Sequence, residues 1–229
     1  AVQKGTGHAV QQALPKIPPG DVALILYGDV PLVQPATLKK LVTKAAKGQV
    51  AVLTAEMANP TGYGRILRGE RGAVIAIVEE KDATPQQRQL SEINTGLIAC
   101  PAGKLVKWIA RLKPNNAQKE YYLTDVIGLA VKDGVAVAAV AAESEDEVLG
   151  INDKAQLAAA EKILRRRLAG ELMAAGVTLV DPDRIDIRGE LVCGRDVLIE
   201  PNVIFEGVVH IGDGARIDRM SEVRDKLVG

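Results

Sequence analysis

The sequence predicts an α/β domain, then one long helix, then the beginning of a β-solenoid, and three observations carry that prediction. First, Ala23-Leu24-Ile25-Leu26-Tyr27 is a continuous apolar run of strand length, closed by Gly28-Asp29 and Pro31. The run has no polar alternation, and alternation is needed only where one face of a strand meets water, so it reads as a parallel, central strand buried on both faces. Second, such runs alternate with helix-length segments as far as residue 150, which is the βαβ rhythm of an α/β domain. Third, aliphatic residues recur every six positions beyond residue 185.

Composition narrows the class. At 229 residues with 47% hydrophobic content the chain can fill one large core or two modest ones. Twenty-nine basic residues balance twenty-nine acidic ones, so no net field draws it to nucleic acid or to an anionic membrane. Cys100 and Cys193 are isolated thiols without metal-ligand spacing, which suits buried small hydrophobes in a reducing, cytoplasmic compartment. No apolar run approaches the roughly 20 residues of a membrane span, and no charged-then-apolar leader opens the chain. Residues 1–7 read instead as the middle of a loop, as in a piece of a longer protein.

Taken in order, residues 8–14 have helical composition and stop before Pro15, which cannot continue a helix interior. After strand 23–27, residues 35–47 predict a helix with Pro35 in its first turn and Gly48 past its end. Residues 50–53 give the next strand. The turn formers Asn59-Pro60-Thr61-Gly62-Tyr63-Gly64 lead into strands 65–67 and 74–79, joined by a Gly-rich charged turn. Residues 93–99 give another strand, with Asn94-Thr95-Gly96 at its start. In segment 104–112, Leu105, Trp108, Ile109 and Leu112 fall at i, i+3, i+4 and i+7, so Trp108 reads as a core residue on an amphipathic helix. Helix 123–132 and strand 135–140 complete the domain.

A long helix follows to about residue 175. Leu157, Ala160, Leu164, Leu168 and Leu172 predict its apolar stripe, and Arg165-Arg166-Arg167 its solvated flank. Beyond it Ile187, Cys193, Ile199, Phe205, Ile211, Ile217 and Val223 recur every six residues, each followed four places later by Leu191, Val197, Val203, Val209, Ala215, Ser221 and Leu227. A fixed period of six is neither helical nor the two-residue alternation of an ordinary sheet. It marks a left-handed hexapeptide β-helix, whose short flat faces each bury one aliphatic residue against the next coil. Arg219, Met220 and Lys226 weaken the last coils.

Among candidate site residues, Asp29 stands at the end of its strand, where α/β sheets bind ligands and a carboxylate can hold a hard cation against a nucleotide phosphate. Capping of the next helix, or closure of a turn, is the alternative role for Asp29. Strand-end charge for Glu79, a turn for Asn94 and a helix cap for Asn152 are the corresponding alternatives.

Seven separated motifs settle on one resemblance. Gly5-Thr6-Gly7-His8-Ala9, Leu26-Tyr27-Gly28-Asp29-Val30-Pro31-Leu32, Pro60-Thr61-Gly62-Tyr63-Gly64-Arg65-Ile66, Val78-Glu79-Glu80-Lys81-Asp82-Ala83, Glu92-Ile93-Asn94-Thr95-Gly96, Glu120-Tyr121-Tyr122-Leu123-Thr124-Asp125 and Gly150-Ile151-Asn152 occur in this order. Together they resemble the family of bifunctional bacterial N-acetylglucosamine-1-phosphate uridyltransferases / glucosamine-1-phosphate acetyltransferases, across essentially the whole chain. The resemblance implies an incomplete Rossmann-like nucleotidyltransferase domain over residues 1–152, a connecting helix over 153–176 and the start of the β-helix over 177–229. It further implies that Gly5 and Thr6 contact the uracil end of the nucleotide, and that Tyr27, Gly28 and Asp29 line its ribose and phosphates. Gly64, Glu79 and Asn94 would hold the N-acetylglucosamine moiety, and Asp29 with Asn152 would ligate Mg²⁺. Two oxygen-bearing side chains suit Mg²⁺, which takes its remaining ligands from water and phosphate.

The implied reaction is uridylyl transfer from UTP to N-acetylglucosamine 1-phosphate, giving UDP-N-acetylglucosamine and pyrophosphate. It needs no covalent nucleophile, so neither His8 nor His210 takes a catalytic role. Acetyl-CoA and a homotrimer are implied for the full-length parent. The family's basic, Gly-rich phosphate loop has no counterpart here, nor has most of its β-helix, so the 229 residues alone are expected to be weakly active or inactive and to expose a sheet edge. A nucleotidyltransferase for another sugar 1-phosphate and a non-catalytic trimeric scaffold are the alternative readings.

Overall fold

The computed structural model describes residues 3–228; the chain divides into two compact units, Ala1–Gly150 and Ile151–Gly229. In the first, helices α1 (Thr6–Ala13), α2 (Pro35–Ala46), α3 (Pro85–Arg88), α4 (Ala102–Ile109) and α5 (Asp125–Lys132) accompany strands β1 (Val22–Ile25), β2 (Val50–Glu56), β3 (Gly64–Arg68), β4 (Val74–Val78), β5 (Glu92–Pro101) and β6 (Val137–Ala141). The six strands form one sheet in the order β4-β3-β5-β2-β6, with β1 also on β5. Among its described residues, β2 and β6 form the one parallel pair.

Side-chain alternation builds a core on each face of this sheet. Val50 and Val52 point into a cluster with Ile98, Leu105, Trp108, Leu123 and Ile127, whereas Ala51, Leu53 and Ala55 join Leu41, Ala45, Ile93 and Leu97. Strands covered on both faces need apolar residues at consecutive positions, and β2 and β5 have them. Trp108 is a core residue, its indole N–H donating to Asp133 Oδ2 at 2.9 Å.

The strand at 23–27 departs from expectation. It ends at Ile25, pairs antiparallel with β5 through Val22↔Pro101 to Ile25↔Ile98, and has no second strand partner among the described residues. It is neither parallel nor central: Ala23 is its one fully buried residue, and Leu26 beyond it is 46% exposed. An apolar run reports a tendency to be buried; it carries no information on the direction or identity of the neighbour.

The second unit begins with α6 (Lys154–Ala174), capped by Asp153, whose carboxylate accepts the Gln156 N–H at 2.7 Å. Strands β7 (Thr178–Leu179), β8 (Ile185–Cys193), β9 (Leu198–Ile199), β10 (Val203–Ile211), β11 (Arg216–Ile217), β12 (Glu222–Arg224) and β13 (Leu227–Val228) follow. They stack in parallel with Ile187↔Phe205↔Val223, Cys193↔Ile211 and Ile199↔Ile217 in register. Each offset is 18 residues (205 − 187), or three hexads per coil, which is the β-helix the six-residue period predicts. Val197, Val203 and Val209 are fully buried with Ile199, Phe205, Ile211 and Ile217.

The predicted stripe on α6 is only partly correct. Leu157 is 52% and Leu164 40% exposed, while Ala160 and Ala169 are the buried positions. Ala169 and Leu172 join the core of the first coil, so the fully buried positions are the small residues, and of the leucines Leu157 and Leu164 lie outside the buried face. Of the arginine flank, Arg166 grips Asp183 with two hydrogen bonds of 2.8 and 3.1 Å. The terminal coil fades as its sequence suggested, with Leu227 78% exposed.

Candidate active site

Sheet register gathers the three residues expected to hold a sugar. Gly64 is the cross-strand partner of Asn94. Because Arg65 pairs with Val78, the next residue, Glu79, arrives beside Gly64. A Cβ on Gly64 would stand 3.3 Å from Glu79 Oε2 and 3.1 Å from Ile77 Cγ2, so the missing side chain leaves room directly over that carboxylate.

The strand bearing Asn94 is deformed there. Val52 pairs with Ile98 but Thr54 with Asn94, so four residues of β5 (98 − 94) oppose two of β2 (54 − 52). This bulge is held by Thr95, whose Oγ1 donates to Leu53 O at 2.9 Å, and by Gly96 at φ +85°. Bulges re-aim side chains at strand edges. Here the Gly96 N–H donates to Asn94 Oδ1 at 3.2 Å, fixing the amide and leaving its NH₂ group for another partner. The Tyr27 ring lies against Gly96.

The residues expected at the nucleotide end are held by the 120–125 motif. Tyr121 N–H donates to Lys4 O and Tyr121 O accepts from Gly7 N–H, both at 2.8 Å, so residues 4–7 are zipped to this segment. Gly5 sits at φ +95°, and a Cβ there would lie 2.8 Å from Tyr121 O; only glycine fits. Leu123 N–H donates to Thr6 Oγ1 at 3.1 Å, and Thr124 Oγ1 donates to Glu79 Oε1 at 2.8 Å. Thr6, Tyr27, Gly28 and Asp29 line a cavity of about 520 Å³ with Leu24 and Leu26.

Burial pushes the Glu79 carboxyl above its ordinary value, the Thr124 hydrogen bond opposes this, and Asp125 and Asp82 add to the rise. Burial, then the Glu79 charge, likewise raises the Tyr27 phenol. The corner is thus partly dry and acidic, suited to sugar hydroxyl and amide donors.

Sequence-predicted residues Gly5, Thr6, Tyr27, Gly28, Asp29, Gly64, Glu79 and Asn94 all belong to the first unit; Asn152 belongs to the second. Asn152 is not the helix cap, a role Asp153 takes; its N–H donates to Gln156 Oε1 at 2.6 Å. Among the described residues no group of three or more His, Cys, Asp or Glu could hold a metal. Sequence reasoning left Thr124 and Gly96 without roles. Both stood inside quoted motifs, and what marked them out, a hydroxyl partner 45 residues away and an aromatic ring overhead, is tertiary.

The sheet, covered by helices on both faces and carrying this glycine- and carboxylate-lined corner, defines a nucleotidyltransferase-type domain, here followed by the start of a β-helix. Residues 1–104 match the MobA-like NTP transferase domain family. The bifunctional protein GlmU of Azoarcus sp. (strain BH72) is 54% identical over 227 residues, covering 99% of this chain and 50% of that protein. GlmU of Cupriavidus taiwanensis is 52% identical over 229 residues, again half of its length. The chain spans about half the length of the curated relatives it matches, and over that half it is similar to GlmU, the resemblance that the motifs carry. A solved UDP-glucose pyrophosphorylase complexed with UDP-glucose shares the fold at 17% identity, with a TM-score of 0.56 over 73% of this chain and 64% of that one.

Proposed function

We propose that the first unit carries the uridylyl-transfer site of a GlmU-type enzyme, binding UTP and N-acetylglucosamine 1-phosphate and forming UDP-N-acetylglucosamine. The observation that carries this is the corner where Gly64, Asn94 and Glu79 meet. A sugar with both hydroxyls and an acetamido group needs an acceptor, a donor and a flat approach to backbone, and these residues offer one of each. Thr6 and Tyr27 extend the surface towards the nucleotide.

In the reaction, a phosphate oxygen of the sugar phosphate forms a bond to the α-phosphorus of UTP as the bond to the β-phosphate oxygen breaks, and pyrophosphate leaves. The protein's work is positioning and exclusion of water, and no residue needs to form a covalent intermediate. Asp29 is the proposed Mg²⁺ ligand of the first unit, and a bound ion would offset charge on the phosphate oxygens. Acetyl transfer from acetyl-CoA to glucosamine 1-phosphate, a homotrimeric assembly and a cytoplasmic location are proposed for the full-length protein. Among the described residues no helix is long and apolar enough to cross a membrane.

Calorimetric titration of the chain with UDP-N-acetylglucosamine, UDP-glucose and UDP, each with Mg²⁺, tests the reading. Tighter binding of the acetamido sugar than of UDP-glucose, lost in Asn94→Ala, supports it. Equal affinity for the two sugars overturns the substrate assignment, and no binding of any of them overturns the site.

A further inference from the structure

We propose that Thr124 is a positioning residue for Glu79, holding one carboxylate oxygen so that the other is presented over Gly64 to the sugar. This rests on the function proposed above. Thr124 is buried and stands just before α5, where a threonine side chain ordinarily bonds to the first free N–H groups of the helix. It makes no such bond. Its Oγ1 donates instead to Glu79 Oε1 at 2.8 Å, across 45 residues of sequence. Glu79 Oε2 is the oxygen that faces the space left by Gly64.

The surroundings explain why such a donor is needed. The ionisable groups that act on Glu79, or that feel its charge, are Asp82, Asp125, Tyr27 and Tyr122, all acidic. The half-buried carboxylate has no cationic partner among the described residues, and Thr124 is its side-chain donor. Without the hydroxyl, the charged form loses its stabilisation and the group is free to protonate and rotate. The preceding residue, Leu123, holds Thr6 through its N–H, so one dipeptide fixes both ends of the site at once.

The test compares Thr124→Val, which keeps the shape without the hydroxyl, with Thr124→Ser, which keeps the hydroxyl. Carbon-13 NMR of the Glu79 carboxyl should show its titration midpoint moved upward in Thr124→Val and restored in Thr124→Ser. UDP-N-acetylglucosamine should bind Thr124→Val about tenfold more weakly, the loss expected for one hydrogen bond to a charged group, while UDP affinity is unchanged. In a Glu79→Gln background the same Val substitution should add little, since the charged acceptor is gone. Wild-type-like titration and sugar affinity in Thr124→Val overturn the inference while leaving the proposed function standing. If the wild type binds no nucleotide sugar, the function falls, and an unmoved Glu79 midpoint in Thr124→Val takes the inference with it.

Discussion

The ring of Tyr27 fills the space that any side chain at position 96 would need: a Cβ there would lie 2.3 Å from Tyr27 Cε2 and 2.7 Å from Cδ2 and Cζ. Gly96 also has φ +85°, which an L-residue adopts at a cost of about 1–2 kcal/mol. Gly96→Ala should therefore lower Tm by several degrees and weaken UDP-N-acetylglucosamine binding, because the ring must leave. The double variant Gly96→Ala, Tyr27→Ala isolates the clash. Its Tm should lie above the sum of the two single losses, and strict additivity would show that the ring and the glycine are independent.

Glu79 gives a prediction with a definite sign. Its carboxyl is raised above the ordinary value by burial first, so the folded state holds its proton more tightly than the unfolded chain does. Stability from this group is gained as pH falls through the raised value and is lost as pH rises through the window between the ordinary and raised values. Glu79→Gln keeps an oxygen to accept from Thr124 and removes the charge. Thermal unfolding should show the variant more stable than wild type at pH 8, with the gap shrinking towards pH 4, while its affinity for the nucleotide sugar falls. A gap that widens on acidification would contradict the assignment.

Arg65 braces the strand next to Gly64. It is buried on β3 beside Gly64; its guanidinium meets Glu80 Oε2 at 2.7 Å and donates to the carbonyls of Tyr63 and of Arg88, the latter at 3.4 Å. One planar fork thus ties the turn before β3 and the end of α3 to the strand, a geometry that lysine cannot copy. Arg65→Met strands Glu80 and two carbonyls and should cost about 3–5 kcal/mol, visible as a lower urea midpoint. Arg65→Lys should recover only a minor part of it.

The motifs picked out residues that the fold brings together, Gly64 with Asn94 and Glu79, and Gly5 and Thr6 with the 120–125 segment. The six-residue period gave the β-helix, since Val197, Val203 and Val209 occupy one geometrical role in successive turns. Pairing was hidden. Nothing in Ala23-Leu24-Ile25 tells that its neighbour is β5 running the other way, and the buried face of α6 rests on Ala160 and Ala169, which hydrophobicity ranks below the exposed Leu157 and Leu164. Thr124 and Arg65 escaped because their worth lies in partners far along the chain.

The β-helix offers a last test, at a corner where three residues stack. Gly189 and Gly207 are register partners, and Asp225 occupies the equivalent place in the next coil. Gly207 sits at φ +78°, with a would-be Cβ 1.9 Å from Asp225 Oδ1; that oxygen accepts the Val208 N–H at 2.9 Å. The carboxylate thus closes the corner only because Gly207 has no side chain. Gly207→Ala should expel it, free the Val208 N–H and loosen the coil above. Hydrogen exchange should then quicken at Val208 and over residues 222–228, while amides of β2 and β5 keep their wild-type protection. Asp225→Ala removes the hydrogen bond without the clash and should have the smaller effect. Adding Asp225→Gly to Gly207→Ala should recover part of the loss, by giving the new methyl group room. Unchanged exchange in Gly207→Ala would show that this corner does not hold the last coil in place.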